Sequence, residues 1–216
     1  MILGIDVRAA FLRVATTARA VIAAPEVAAG WDEPSALAQF TVRGLTGHLG
    51  RCAWIVEQYL DAGIPVDAVD VGNSVGYYAA VVLTPDLDDA LNTSIRDRGE
   101  DEAASGRDAV RERLDATLAR LSDRLATLPA DTRVAAIAGV TLDLDEYLVT
   151  RIVELVTHTD DLAVSVGIGS PETDPDAATL VVHCLVEVAR RRHGDLAVVR
   201  ALTRRERDLP GALRAF

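Results

Sequence analysis

The segment from residue 143 to residue 166 is apolar around most of the circumference that a helix would have. Its apolar residues recur at helical spacing and are Tyr147, Leu148, Ile152, Val153, Leu155, Val156, Leu162 and Val166. A helix that is apolar on most sides is stable only when other elements surround it. The segment therefore predicts a largely buried helix that begins near Asp143, with Glu146 three residues later in a capping-box arrangement.

Two polar residues, Glu154 and His158, interrupt this apolar helix. They are four residues apart, so they lie on one helical face, one above the other. A carboxylate and an imidazole in this arrangement can bind one metal ion from the same side. The spacing is common by chance, and Glu154 can alternatively pair with Arg151 or with a loop amide. A metal site therefore requires a third ligand from another part of the chain.

The remaining sequence predicts an all-α protein. Half of the residues are hydrophobic and only 4% are aromatic, so the core consists mostly of Ala, Val and Leu, which favours helices. Periodicity and caps predict helices over 7–24, 42–62 and 175–192, a short helix from Asp195, and a long helical region from Thr84 to about Leu128 that breaks near 96–106. Residues 64–83 are ambiguous, because Val66, Val69 and Val71 alternate with Asp67 and Asp70 as in a strand, and are predicted to form a long, mostly irregular crossover. Residues 129–139 are predicted to form a connection.

Composition narrows the range of functions. The formal net charge of −11 argues against nucleic acid and anionic membranes as partners. All 22 basic residues are arginine, which indicates a GC-rich genome and disfavours a catalytic lysine. Neither a signal peptide nor a membrane span is recognisable, so we expect a cytoplasmic protein in which Cys52 and Cys184 are free thiols.

His48 is the candidate third ligand, because it lies in the apolar stripe of the second predicted helix. Metal sites of helical bundles are built from side chains on facing helices. Two imidazoles and a carboxylate leave coordination positions open for water or substrate. Asp160 or Asp161 can orient His158 by accepting its second N–H. Alternatively, His48 is an ordinary core histidine, and Cys52, one turn later, is a small core residue or a thiol that lines the metal cavity.

Two blocks of sequence carry a family resemblance. The first contains Trp31, Ser35 and the run Phe40-Thr-Val-Arg-Gly-Leu-Thr-Gly-His48-Leu, and the second is Glu154-Leu-Val-Thr-His158-Thr-Asp-Asp161-Leu-Ala. Together they resemble the mycothiol-dependent maleylpyruvate isomerase N-terminal domain family, within the DinB/YfiT-like superfamily, over residues 5–170. The resemblance implies a DinB-like four-helix bundle over residues 1–170. Residues 171–216 are then a helical C-terminal extension, in which the isomerase's own C-terminal domain is not recognisable.

The resemblance also implies a site and an activity. A divalent metal, preferentially zinc, would be bound by His48, Glu154 and His158, with Asp161 supporting His158 from outside the metal shell. The expected function is that of a metal-dependent thiol S-transferase or isomerase acting on a small electrophilic substrate. Arginine-only composition fits an actinobacterial source, and hence mycothiol as the thiol. The alternatives are a non-catalytic metal-binding bundle, such as a homodimer with a binding or regulatory role, and a metal-dependent hydrolase.

Overall fold

The computed structural model describes residues 3–81, 90–207 and 211–215, and its long helices form a four-helix bundle. The bundle consists of α1 (Val7–Ile22), α3 (Val42–Ala62), α6 (Arg107–Thr127) and α7 (Leu144–Ser165). Around the bundle, α1 packs against α6, α6 against α3, α3 against α7, and α7 against α1. The predicted all-α bundle with a crossover after its second helix is therefore confirmed.

The helix α7 lies at the centre of the core, as its apolar circumference predicts. Eleven of its residues are buried: Leu144, Tyr147, Leu148, Val149, Thr150, Ile152, Val153, Leu155, Thr159, Leu162 and Ala163. The predicted capping box is wrong, because Asp143 makes no side-chain capping bond. Instead, the Glu146 carboxylate accepts the backbone N–H of Ser74 at 2.8 Å. This bond joins the start of α7 to the start of α4 (Ser74–Val81).

A small three-stranded sheet replaces the connections that the sequence predicted as irregular. It consists of β1 (Val69–Gly72), β2 (Arg133–Ala135) and β3 (Val140–Asp143), in the order β1-β3-β2. The strand β3 pairs in parallel with β1 and antiparallel with β2, so that Val69 is opposite Val140 and Val134 is opposite Leu142. The sheet closes one end of the bundle, because Val134, Val140 and Leu142 are buried in the common core.

The remaining helices surround the bundle. The short α2 (Pro25–Ala29) follows α1, and α5 (Ala90–Glu102) packs along α3. The predicted break in the long helical region lies between α5 and α6. Gly106, which has a φ of 92°, directly precedes α6. The predicted helix start at Thr84 lies outside the described residues. The helix α8 (Pro175–His193), capped by the Asp174 carboxylate, packs on α7, α4 and α1, and α9 (Asp195–Thr203) packs on α8.

Two further expectations can be compared with the structure. Cys52 and Cys184 are both buried free thiols. Among the described residues, no helix is long and apolar enough to cross a membrane.

The Arg8 guanidinium joins three parts of the bundle. It donates to the Asp145 carboxylate at 2.8 Å and to the carbonyls of Leu125, Leu128 and Pro129, at 2.9, 2.6 and 2.8 Å, where α6 ends. The cation thus satisfies carbonyls at the negative end of a helix. We expect Arg8→Met to lower the free energy of unfolding by about 2 kcal/mol.

Chemical denaturation measures the effect of Arg8→Met. The matched control is Arg13→Met, which removes an ion pair with Asp174 and Asp176 from a side chain that is 45% exposed. Exposed pairs contribute little, so the control should lose at most about 1 kcal/mol. Equal losses in the two variants would contradict a special role for Arg8.

Candidate metal centre

Polar side chains of α3 and α7 face each other across the interface between the two helices. We call this set the interhelical cluster, and its members are His48, Cys52 and Tyr59 of α3 and Tyr147, Arg151, Glu154, His158 and Asp161 of α7. On each helix the members follow steps of three, four or seven residues, so they share one face. The cluster exists because α3 and α7 are neighbours in the bundle.

The structure brings together the three residues that the sequence proposed as metal ligands. Glu154 Oε2 lies 3.3 Å from His48 Nε2 and 3.4 Å from His158 Nε2. The two imidazole rings meet edge to face, with 4.9 Å between their centroids. The side chains of His48, Glu154 and His158 are only 12%, 20% and 20% exposed, respectively. One carboxylate oxygen therefore lies between two imidazole nitrogens in a mostly buried position.

Neighbouring charges and burial shift the pKa values of these three groups in opposite directions. Burial alone would raise the pKa of Glu154, but hydrogen bonds from His158 and His48 and the charge of Arg151 hold it well below its usual range. Burial likewise disfavours protonated His158, yet hydrogen bonds to Asp161 and Glu154 raise its pKa to about 9. Burial dominates at His48 and lowers its pKa. Without a metal, the cluster therefore contains an ionised Glu154 beside a protonated His158.

Asp161 orients His158. Its carboxylate oxygen Oδ2 accepts a hydrogen bond from His158 Nδ1 at 3.0 Å, which leaves Nε2 directed at Glu154. Of the two aspartates considered from the sequence, Asp160 instead accepts a hydrogen bond from the Ser170 hydroxyl. The Asp161 contact has the arrangement in which a carboxylate fixes the tautomer of a metal-binding imidazole.

Cys52 is close enough to compete for a place in the same site. One ligand atom each from His48, Cys52 and Glu154 lie within 4.8 Å of one another. The Cys52 thiol donates to the His48 carbonyl at 3.3 Å, and burial raises its pKa to about 12. The interhelical cluster thus offers two possible three-residue sets, which share His48 and Glu154 and differ in His158 or Cys52. The orientation of His158 by Asp161 favours the first set, whereas the mutual proximity of the ligand atoms favours the second.

Sequence reasoning missed one end of the interhelical cluster. The Arg151 guanidinium carbon lies 5.0 Å from the centre of the Tyr147 ring and 6.0 Å from that of Tyr77 on α4. Tyr59 packs against Tyr147, with 5.5 Å between ring centroids. The available signal was the spacing of Tyr147, Arg151 and Glu154, which places them on the same helical face as His158. The alternative pairing of Glu154 with Arg151 is not formed as an ion pair among the described residues.

The two other histidines lie outside the interhelical cluster. His183 is exposed on α8, and His193, the last residue of α8, donates through Nε2 to the Arg214 carbonyl at 2.9 Å. Both therefore have positions consistent with structural residues at the surface.

A comparison with known protein families identifies the family to which this chain is related. Residues 11–163, which include His48, Glu154, His158 and Asp161, match the model of the mycothiol maleylpyruvate isomerase N-terminal domain. The chain belongs to this family. The family resemblance carried by the two sequence blocks is therefore confirmed. The matched region covers all four bundle helices except the first residues of α1 and the last residues of α7.

Two solved structures are also similar to the chain. One is a crystal structure of the mycothiol-dependent maleylpyruvate isomerase, with 17% sequence identity, and the other is a histidine-to-alanine mutant of that enzyme, with 16%. Each similarity has a TM-score of 0.49 and covers 85% of this chain and 70% of the other. No curated protein sequence matches the chain.

Proposed function

We propose that this protein is a metal-dependent thiol S-transferase or isomerase that uses mycothiol and acts on a small electrophilic substrate. The observation that carries the proposal is the convergence of His48 Nε2 and His158 Nε2 on a single Glu154 oxygen. Membership of a family defined by a mycothiol-dependent enzyme supports the choice of thiol.

The separations of Glu154 Oε2 from the two imidazole nitrogens are compatible with a zinc ion. Zinc binds imidazole nitrogens and carboxylate oxygens at about 2.0 to 2.2 Å, and the ligands of a tetrahedral ion at that bond length are about 3.4 Å apart. The observed separations from Glu154 Oε2 are 3.3 and 3.4 Å. Glu154 is therefore suitably spaced to share a divalent ion with either histidine, and we propose that His48, Glu154 and His158 would together hold it.

The protein supplies the surroundings in which the chemistry would occur. When bound, a divalent metal would lower the pKa of an external thiol and favour its thiolate. Asp161 holds His158 in the required orientation, and the low exposure of His48 and Glu154 limits the access of water. The Arg151 cation adds positive charge to the same helical face.

The poor ionisation of the protein's own thiols supports an external thiol as the nucleophile. Burial raises the pKa of Cys52 to about 12 and that of Cys184 to about 11. The thiolate is the nucleophilic form of cysteine, so neither residue is an effective nucleophile at neutral pH. A cosubstrate such as mycothiol would supply the thiol that these buried cysteines do not.

We expect the protein, purified without an affinity tag, to contain or to bind one equivalent of Zn²⁺ or another divalent ion. Elemental analysis and calorimetric titration measure this stoichiometry. The metal-loaded protein should then convert maleylpyruvate, or another member of a panel of small electrophiles, only when mycothiol is present.

Each negative result has a defined meaning. A protein that neither contains a divalent metal nor binds one that is added back would refute the metal-dependent enzyme. Metal binding without turnover of any electrophile would favour the non-catalytic metal-binding bundle. Turnover that continues when mycothiol is omitted would instead indicate a hydrolase.

A further inference from the structure

Arg151 is a charged residue of the interhelical cluster that helps to keep Glu154 ionised but forms no ion pair with it among the described residues. It precedes Glu154 by three residues and His158 by seven, and it is partly buried. Its guanidinium lies beside the Tyr147 and Tyr77 rings, at 5.0 and 6.0 Å from their centroids. Its only described hydrogen bond joins Nε to the Thr150 hydroxyl at 3.1 Å.

The absence of an anionic partner distinguishes Arg151 from comparable arginines. Within the described residues, no carboxylate oxygen lies within 4.0 Å of its guanidinium nitrogens. By contrast, Arg51 meets Glu102 at 2.7 Å and Arg120 meets Glu57 at 2.8 Å. Glu154, the nearest carboxylate on the same face, is shared by the two histidines. A charge that is even partly removed from water is unfavourable without a partner, and both terminal guanidinium nitrogens lack a described acceptor.

The neighbouring tyrosines add hydrogen-bond donors to the same end of the interhelical cluster. Tyr77 is 5% exposed and Tyr147 is 1% exposed, and in the described part of the chain no residue bonds to either hydroxyl. Burial raises the pKa of Tyr77 and holds that of Tyr147 well above its usual value, so both phenols keep their protons. This end of the cluster therefore contains a cation and two phenols, all of which are donors.

We infer that Arg151 binds a carboxylate group of a ligand at this end of the interhelical cluster. The planar guanidinium presents parallel N–H groups that match the two oxygens of a carboxylate. Glu154 and His158 follow Arg151 on the same helical face, so a bound carboxylate would place the rest of a small molecule beside the proposed metal ligands. In this respect the inference rests on the proposed function, and it assigns recognition of a substrate carboxylate to Arg151.

Binding of succinate to the metal-free protein tests this assignment. Calorimetry of the chelator-treated protein should show succinate binding, whereas succinamide, the neutral analogue, should not bind. We expect Arg151→Gln to weaken succinate binding about tenfold or more. Arg151→Lys should have an intermediate effect, because lysine keeps the positive charge but lacks the parallel N–H donors of the guanidinium. Inorganic phosphate should bind more weakly than succinate, and the reverse order would overturn the carboxylate assignment.

The matched control is Arg113→Gln. Arg113 also stacks on an aromatic ring, at 4.0 Å from the Trp54 centroid, but it is paired with Glu102. The control should bind succinate as the wild-type protein does. If Arg151→Gln does not fold, modification of Arg151 by phenylglyoxal in the wild-type protein replaces it. Succinate should then protect Arg151, and unchanged modification would overturn the inference.

Failure of this inference is distinguishable from failure of the proposed function. Normal Zn²⁺ binding together with equal succinate binding by the wild type and Arg151→Gln would refute the role of Arg151 alone. The protein could instead bind succinate through Arg151 and bind no divalent metal. That result would refute the metal-dependent enzyme and would support Arg151 as an anion-binding residue.

Discussion

The His158→Ala variant is expected to bind Zn²⁺ on the order of 1,000-fold more weakly than the wild-type protein, because it removes one of only three protein ligands. In the structure His158 Nε2 lies 3.4 Å from Glu154 Oε2, and the Asp161 contact holds the ring in that orientation. Alanine supplies no replacement ligand, and His48 and Glu154 are then left with only the Cys52 thiol, whose pKa burial raises to about 12. Competition titration with a chromophoric chelator measures the affinities of both proteins.

Two further variants make the prediction specific. Asp161→Asn keeps the ligands but weakens the bond that orients His158, so Zn²⁺ affinity should fall about 10- to 100-fold. Cys52→Ala removes a thiol whose pKa burial raises to about 12, and its affinity should remain within about threefold of wild type. The order of effects is therefore His158→Ala, then Asp161→Asn, then Cys52→Ala.

The reverse order would identify the other possible ligand set. If Cys52→Ala abolishes binding while His158→Ala retains it, the ion is bound by His48, Cys52 and Glu154, whose ligand atoms also lie within 4.8 Å of one another. Because His158 also hydrogen-bonds to Asp161 and Glu154, the circular dichroism and thermal unfolding of each metal-free variant must be recorded alongside the titrations. A loss of affinity is attributable to a ligand only in a variant that remains folded.

Local signals in the sequence were sufficient to predict the two helices, α3 and α7, that form the candidate metal centre. The helix α3 runs from Val42 to Ala62 as predicted, because Thr41 caps its start and Gly63 ends it, and both effects depend on adjacent residues. The apolar periodicity of α7 likewise predicted its burial. Once two helices and their apolar faces are known, residues on those faces such as His48 and His158 are candidates for a common site.

The sheet could not be predicted in the same way. Its strands contain three or four residues each, so the alternation around Val69 and Val71 was too short to distinguish a strand from an irregular connection. Moreover, β1 and β3 pair although Val69 and Val140 are far apart in the sequence. Their pairing depends on how the bundle brings these segments together, which no local pattern contains.

The position of Arg151 shows a second limit. Its spacing from Glu154 suggested an ion pair within α7, as found on many helix surfaces. That pairing fails because His48, from another helix, shares the Glu154 carboxylate with His158. Whether a charged residue has a partner therefore depends on tertiary contacts, and these contacts make Arg151 a candidate for ligand binding.

Replacing Gly47 with alanine is expected to lower the free energy of unfolding by about 3 kcal/mol. A Cβ atom at Gly47 would lie 2.0 Å from the carbonyl oxygen of Gly99 on α5, and one at Gly99 would lie 2.4 Å from that of Gly44. Both contacts are with backbone, so α3 and α5 must separate to admit a methyl group. Alanine otherwise favours a helix interior over glycine by roughly 1 kcal/mol, so a net loss of stability can only come from packing.

Thermal unfolding measures this effect, which corresponds to a fall of roughly 6 to 12 °C in Tm for a chain of this size. The matched control is Gly169→Ala, because a Cβ there has no neighbour within 4 Å and the backbone requires no left-handed conformation, so stability should change by less than about 0.5 kcal/mol. A Tm for Gly47→Ala equal to or above that of the wild type would contradict the close packing of α3 and α5. Because Gly47 directly precedes His48, separation of the two helices should also displace that imidazole, and Gly47→Ala should bind Zn²⁺ more weakly while Gly169→Ala does not.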